Sequence, residues 1–212
     1  MRDIPVFTTL NGAASLTLRE IPYRKEAYIK LQDSLDPLAL VQECADFCRC
    51  CGAEKVYASG SELLERFPLY TALWQMRAPW VSMPRPDAYL WPVLPENSAR
   101  WQEICNSRMA DVPAAHYMTD GDVKAMVEKG DGYFVHRDGT LLGIGRAYID
   151  RIEMVASVVP GSGEQVMAAL CSALGEEQVT LEVSSENHAA LRLYRRMGFT
   201  VTAELERWYK II

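Results

Sequence analysis

The chain is poor in several features that would mark it for a special environment. No apolar run approaches the ~18 residues of a membrane-spanning helix, so no membrane partner is expected. The opening "MRDIPVFTTL" lacks the apolar core of a secretory leader, which makes the cytoplasm the expected location. Basic residues are outnumbered, 22 Lys and Arg against 28 Asp and Glu, for a net charge of −6. A nucleic-acid binder would show the opposite balance, so no nucleic-acid partner is expected; a cationic substrate suits the charge better.

Histidines number three, and the six cysteines do not form the two separated pairs of a structural zinc site. Four cluster in "ECADFCRCCG" (Cys44, Cys48, Cys50 and Cys51). Cys44, Cys48 and Cys51 recur at i, i+4 and i+7 beside Leu40 and Phe47, the stripe of an amphipathic helix in which a free thiol acts as a small apolar residue. Cys105 and Cys171 read as core thiols as well. No metal is expected.

What remains is an ordinary globular composition, 49% apolar and 24% charged. Five of the eleven prolines fall in "RAPWVSMPRPDAYLWPVLPENS". Prolines interrupt helices and ladders alike, so this is a connector holding at most a short edge strand, "DAYLWPVL". The boundary is placed near Pro84–Pro86, giving domains 1–84 and 85–212.

The second domain has the clearer pattern. "NSARWQEICNSRM" and "TDGDVKAMVEKG" are helical, the latter capped by Thr119 and stopped by Gly130. "GYFVHRDGTLLGIGRAYI" is a hairpin about Asp138-Gly139. "RIEMVASVV" is a strand, "GEQVMAALCSAL" a helix, "QVTLEVS" a strand, and "FTVTAELERWYKII" one or two strands. The order is β-α-α-β-β-β-α-β-α-β(β). In the first domain "ASLTLREI", "EAYIKLQ", "KVYAS" and "LYTALWQMRA" read as strands, "PLALVQECADFCRCCG" as a helix and "SELLERFP" as a helical turn. "KVYASGSELLERFPLYTALWQMR" loosely echoes "QVTLEVSSENHAALRLYRRMGFTVTAELERWY", as a degenerate half-copy would.

The most specific stretch is "LEVSSENHAALRLYRRMGF", with strand, polar break, helix and glycine stop in order. Asn187 and Tyr194 lie seven residues apart, about two helical turns, hence on one face. These residues resemble the strand–Asn–helix–Leu-Tyr–Gly-Phe signature of the GCN5-related N-acetyltransferase (GNAT) family, over residues 87–212. The resemblance implies an α/β (α+β) fold, the GNAT acyl-CoA N-acyltransferase fold. Its central mixed twisted sheet carries helices on both faces, here preceded by a smaller α/β region.

It also implies acetyl-CoA as cosubstrate. A slot between splayed parallel strands admits the pantetheine arm, and the backbone of Ser157 and Val159 faces it. A helix N-terminus beside that slot favours pyrophosphate. The family's phosphate loop, Arg/Gln-x-x-Gly-x-Gly/Ala, is altered here: Ser162, Gln165 and Met167 occupy its three positions and the loop is short. Gly161 and Gly163 still permit close approach of backbone to phosphate. Asn187 would hold the pantetheine arm or an ordered water, with a helix N-cap as its plain structural role. Tyr194 would protonate the departing thiolate, with core packing as the alternative. Glu153, where the histone acetyltransferase branch carries its glutamate, would be the base, with an ion-pair role as the alternative and Glu182 as second choice. A backbone N–H near Val155 would polarise the thioester carbonyl. His116, His136 and His188 are poorly placed as bases. Arg192, Arg195 and Arg196 form a solvated face within reach of a CoA phosphate.

The expected function is acetyl transfer from acetyl-CoA to a primary amine by direct transfer in a ternary complex. No cysteine holds a motif position that would argue for an acyl-enzyme. The competing reading is a catalytically weakened acyl-CoA-binding or sensory module, and a plain interaction protein is the third. The acceptor is expected to be a small-molecule or peptide amine, shaped by the helices of residues 97–130; a homodimer is compatible with the sequence.

Overall fold

The computed structural model describes residues 5–174 and 177–212; residues 1–4, part of the stretch read for a leader, lie outside them. Two compact units result: Met1–Leu73 with Leu205–Ile212, and Trp74–Glu204. The division falls within one strand, ahead of the Pro84–Pro86 connector. That strand continues into the second unit.

The first unit contains β1 (Val6–Thr9), β2 (Gly12–Thr17), α1 (Ile21–Arg24), β3 (Glu26–Ser34), α2 (Pro37–Cys50), β4 (Lys55–Ser59) and the start of β5 (Leu69–Pro79). β1, β2 and β3 form an antiparallel meander, and α2 carries the chain across to β4, which pairs parallel with β3. Asp36 caps α2 by accepting the N–H groups of Leu38 and Ala39, both at 3.1 Å, and Pro37 supplies a pre-set φ at the first helical position. Leu40, Val41, Cys44, Ala45 and Cys48 of α2 are buried, in one core with Ala14, Leu16, Ala27, Ile29, Val56 and Ala58. Cys51 departs from expectation. It caps the C-terminus and is exposed, because the helical turn that would have carried it inward has already ended. Phe47, also expected inside, lies at the rim against Phe7, with ring centroids 5.1 Å apart.

The stretch after β4 forms only a 3-10 turn, Glu62–Arg66. Pro68 disfavours helical geometry at Phe67 and stops it there.

The second unit continues with β6 (Tyr89–Pro92), α3 (Ser98–Met109), α4 (Asp120–Lys129), β7 (Gly132–Arg137), β8 (Thr140–Tyr148), β9 (Arg151–Ser157), α5 (Gly163–Ser172), β10 (Gln178–Ser184), α6 (His188–Arg196) and β11 (Thr200–Lys210). This is the order read from the sequence, with a single final strand. The place beside β10 is taken by β5, giving the strand order β11-β5-β10-β9-β8-β7-β6. Thr119 and Asp122 form a reciprocal capping box at α4, and Gly130 ends it in the left-handed region. Asp138 and Gly139 have φ of 49° and 77°, the two positive values of a tight hairpin turn.

Helices cover both faces of this sheet. On one side Val166, Leu170, Leu191, Tyr194 and Phe199 pack with Val135, Leu142, Ile152, Val179 and Leu181. On the other Trp101, Cys105, Val123 and Met126 pack with Phe134, Ile144 and Ala156. Each fully buried Leu, Ile or Phe contributes about 1.5–3 kcal/mol, so both layers are needed to hold the sheet. α5 lies unusually close to it. A Cβ on Gly143 would stand 2.5 Å from the Ala156 carbonyl and 2.7 Å from Val166, and one on Gly145 would overlap the Leu170 side chain. These two glycines set the position of the α5 N-terminus.

Both units contain an antiparallel pair followed by a parallel crossover. They differ at one ladder. β3 and β4 pair at five successive positions, Glu26–Lys55 through Lys30–Ser59, whereas β9 and β10 pair at two.

Candidate active site

The β9/β10 ladder consists of Arg151 with Thr180 and Ile152 with Leu181, and it stops there. The next residue, Glu153, is a β-bulge: opposite it on β8, Arg146 pairs with Met154 and Ala147 with Ile152. A bulge bends its strand and increases the local twist, which carries the rest of β9 away from β10. The Val158 N–H donates to the Leu142 carbonyl of β8 at 2.8 Å. By strand alternation the N–H groups of Val155 and Ser157 face the β10 side, where no ladder partner meets them. Two parallel strands have parted, leaving directed backbone donors in the gap.

The loop leaving β9 is gathered on one carbonyl. Leu142 O accepts the N–H of Val158, the N–H of Val159 at 3.3 Å, and the hydroxyl of Ser162 at 3.0 Å. The Val159 carbonyl accepts the Ser162 N–H at 3.2 Å. Both backbone groups of Val159 are therefore engaged within the loop, and Ser162, buried, anchors the loop and points inward. Gly161 stands exposed with φ of 84°. The first intrahelical bond of α5 runs from Val166 to Ser162. The N–H groups of Gly163, Glu164 and Gln165 have no acceptor among the described residues, as expected of a first helical turn. Gln165 turns its side chain aside, with Nε2 at 3.4 Å from Asp87. A Cβ on Gly163 would lie 3.1 Å from Leu193 and 3.9 Å from the Ser157 hydroxyl, so the end of β9, the start of α5 and α6 converge.

α6 follows β10 and approaches the start of α5 through Leu193. Asn187 caps it, its Oδ1 accepting the Ala190 N–H at 3.2 Å, which leaves the amide NH2 as a donor. Tyr194 is buried among the α5-side core, with its ring centroid 5.9 Å from that of Phe199. Burial raises its phenol well above the ordinary range, and the nearby Cys171 thiol adds to this. The hydroxyl therefore keeps its proton throughout physiological pH. Asn187 and Tyr194 do share one helix.

Glu153 is not a free carboxylate. Its Oε2 lies 2.9 Å from Arg146 Nη2 and its Oε1 3.7 Å from Lys129 Nζ. Arg146 also donates to both oxygens of the buried Asp131, at 3.2 and 2.8 Å. Lys129 reaches Asp131 at 3.0 Å and sits 3.7 Å over the Tyr148 ring. Burial works against the Arg146 charge, but Asp131 and Glu153 outweigh it and hold the guanidinium above its ordinary value. Glu182, the second-choice base, pairs with Arg151 at 3.0 Å. His188 is exposed, and His136 lies in β7 with its imidazole pulled below the ordinary value, chiefly by burial and then by Arg100. Among the described residues no group of three or more His, Cys, Asp or Glu side chains could hold a metal ion, and no helix is long and apolar enough to cross a membrane.

One residue at this site escaped the sequence reading. Arg108, at the end of α3, donates from Nη2 to the Val158 carbonyl at 3.1 Å. The contact joins positions fifty residues apart, and no local pattern announces it.

A sheet that opens after a parallel crossover, with the N-terminus of α5 close by, is a fold this chain shares with solved structures. Three of these illustrate the likeness. A GCN5-related N-acetyltransferase from Anabaena variabilis matches with a TM-score of 0.58 and 14% identity over 87% of this chain and 54% of that one. A GNAT-family acetyltransferase from Colwellia psychrerythraea matches at 0.51 and 15% over 97% and 84%. A conserved protein of unknown function from Staphylococcus epidermidis matches at 0.61 and 12% over 99% and 94%. At these identities the likeness is one of fold. No protein-family model and no curated protein matches the chain.

Proposed function

We propose that this protein is an acyl-CoA-dependent N-acetyltransferase that moves an acetyl group from acetyl-CoA to a primary amine by direct transfer. The observation that carries the reading is the ladder that ends at Ile152–Leu181, leaving the Val155 and Ser157 N–H groups directed into the gap. A pantetheine arm carries amides that complement such a strand edge. The Val155 N–H is the donor to the thioester carbonyl, where charge grows during attack. Tyr194, held neutral by burial, is the hydrogen-bond donor to the sulfur as negative charge grows on it, and the thiolate leaves to take its proton from solvent. Asn187 offers its free NH2 to the arm. Gly161 and the first N–H groups of α5 face the phosphates. Both carboxylate oxygens of Glu153 are taken up in ion pairs with Arg146 and Lys129, so this reading assigns no side chain as base. The amine therefore reacts as its neutral form, losing its proton to solvent.

The second reading, an acyl-CoA-binding module without turnover, is favoured by the loop, in which Ser162 faces inward and no basic side chain occurs between Ser157 and Gln165. Calorimetric titration with acetyl-CoA, followed by thiol release across a panel of small amines and peptide amines, separates the two. Binding with turnover supports transfer; binding without turnover on any amine supports the module; no binding removes both.

A further inference from the structure

We propose that Arg108 is the cation missing from the phosphate loop, and that its guanidinium binds a phosphate group of the acyl-CoA donor. This rests on the acyl-CoA reading above and assigns a donor-binding residue that lies outside the motif.

The Arg108 Nη2 is held at 3.1 Å on the Val158 carbonyl. Val158 in turn bonds to Leu142 O, the same carbonyl that gathers Val159 and Ser162. The guanidinium is thus tied to the segment that delivers the chain into α5. A guanidinium carries five N–H donors in a planar fork, and this contact uses one side of it. The side chain is exposed and has no carboxylate partner among the described residues. Three other arginines of this unit are committed to carboxylates: Arg146 to Asp131 and Glu153, Arg151 to Glu182, and Arg137 to Asp87.

The loop has a matching deficit. "SVVPGSGEQ", Ser157 to Gln165, contains no Lys or Arg and ends next to Glu164, whose charge opposes an incoming anion. Ser162 is turned inward, and Gln165 leans toward Asp87. A pyrophosphate brought there by the strand gap would meet backbone donors and one acidic side chain. Arg108 is the one basic side chain in hydrogen-bond contact with that loop's approach among the described residues. Arg192, Arg195 and Arg196 on α6 also have no carboxylate partner there, but none touches the loop backbone. Planar, bidentate recognition of phosphate is the chemistry for which a guanidinium is best suited.

The test compares two donors on Arg108→Gln, Arg108→Lys and Arg192→Gln: acetyl-CoA, and acetyl-pantetheine, which has the same arm and thioester but no phosphate. Dissociation constants are measured by titration or competition, so the outcome does not depend on turnover. Arg108→Gln should weaken acetyl-CoA roughly tenfold or more, leave acetyl-pantetheine unchanged and reduce the salt dependence of acetyl-CoA binding; Arg108→Lys should recover part of the loss. Repeating the comparison with acetyl-dephospho-CoA assigns the contact to the pyrophosphate if the loss persists and to the 3′-phosphate if it vanishes. Equal weakening of both donors with a lowered melting temperature would make Arg108 a structural tie to Val158 and overturn the proposal. So would an unchanged acetyl-CoA affinity, or a loss found on Arg192→Gln in its place. Failure of the unaltered protein to bind acetyl-CoA would overturn the underlying reading itself.

Discussion

Ile152 is the last residue of β9 to find a ladder partner on β10, in Leu181, and the bulge at Glu153 follows at once. The equivalent crossover in the first unit runs on, through Tyr28–Tyr57 to Lys30–Ser59. One parallel pair opens and the other stays closed.

The closed pair has a consequence for stoichiometry. With the β3/β4 ladder complete, the described residues of the first unit present no gap between these strands for a pantetheine arm. Titration should give one acetyl-CoA per chain; two equivalent sites would show that the first unit retains a donor site.

Tyr194→Phe removes only a hydroxyl from a ring that stays packed on Phe199. Turnover should fall by roughly 10²-fold or more, the range for loss of a donor to developing charge. Donor affinity and melting temperature should hardly move. Parallel losses in affinity and stability would make Tyr194 a packing residue alone.

Glu153 and Arg146 should separate in their effects. Glu153→Gln alters a partly exposed pair, should cost at most about 1 kcal/mol, and should leave the pH–rate profile in place. A displaced acid limb would restore Glu153 as base. Arg146→Met strips a bidentate partner from Asp131, whose side chain is fully buried at 0% exposure, and should cost on the order of 3 kcal/mol, read as a lower denaturation midpoint.

Buried thiols contribute to the fall of stability at alkaline pH. Burial pushes Cys44 up to about 11 and Cys48, Cys105 and Cys171 up to about 12, from an ordinary 9.0. Above pH 9 the unfolded chain releases these protons while the folded chain keeps them. Stability should therefore be level below pH 9 on this account and fall as pH rises toward 11–12. Urea midpoints for Cys171→Ala should fall less steeply over that window than those of the unaltered protein. Identical slopes would remove Cys171 from the effect.

The sequence conveyed what depends on local pattern. Alternation, the Thr119 cap and the Asp138-Gly139 turn placed the elements of the second unit because each signal lies within a few residues of its effect. Cys51 lies outside the core because helical periodicity does not announce its own last turn. The strand gap, the Glu153–Arg146–Asp131 network and the Arg108–Val158 contact arise from residues brought together by the sheet. A single sequence therefore offered Glu153 as an isolated carboxylate and did not offer Arg108 at all. Ser162 stood in the loop where an arginine or glutamine was expected, and only its bond to Leu142 shows that it serves the loop's anchorage.

The central claim is that the backbone edge of β9 beyond Ile152 receives the donor. Amide hydrogen exchange at Val155 and Ser157, measured with and without acetyl-CoA, tests it most directly. Without donor both amides should exchange faster than Ala156, whose N–H is paired to β8. With saturating acetyl-CoA both should become protected. Unchanged exchange at Val155 and Ser157, under conditions where acetyl-CoA is bound, would contradict the account.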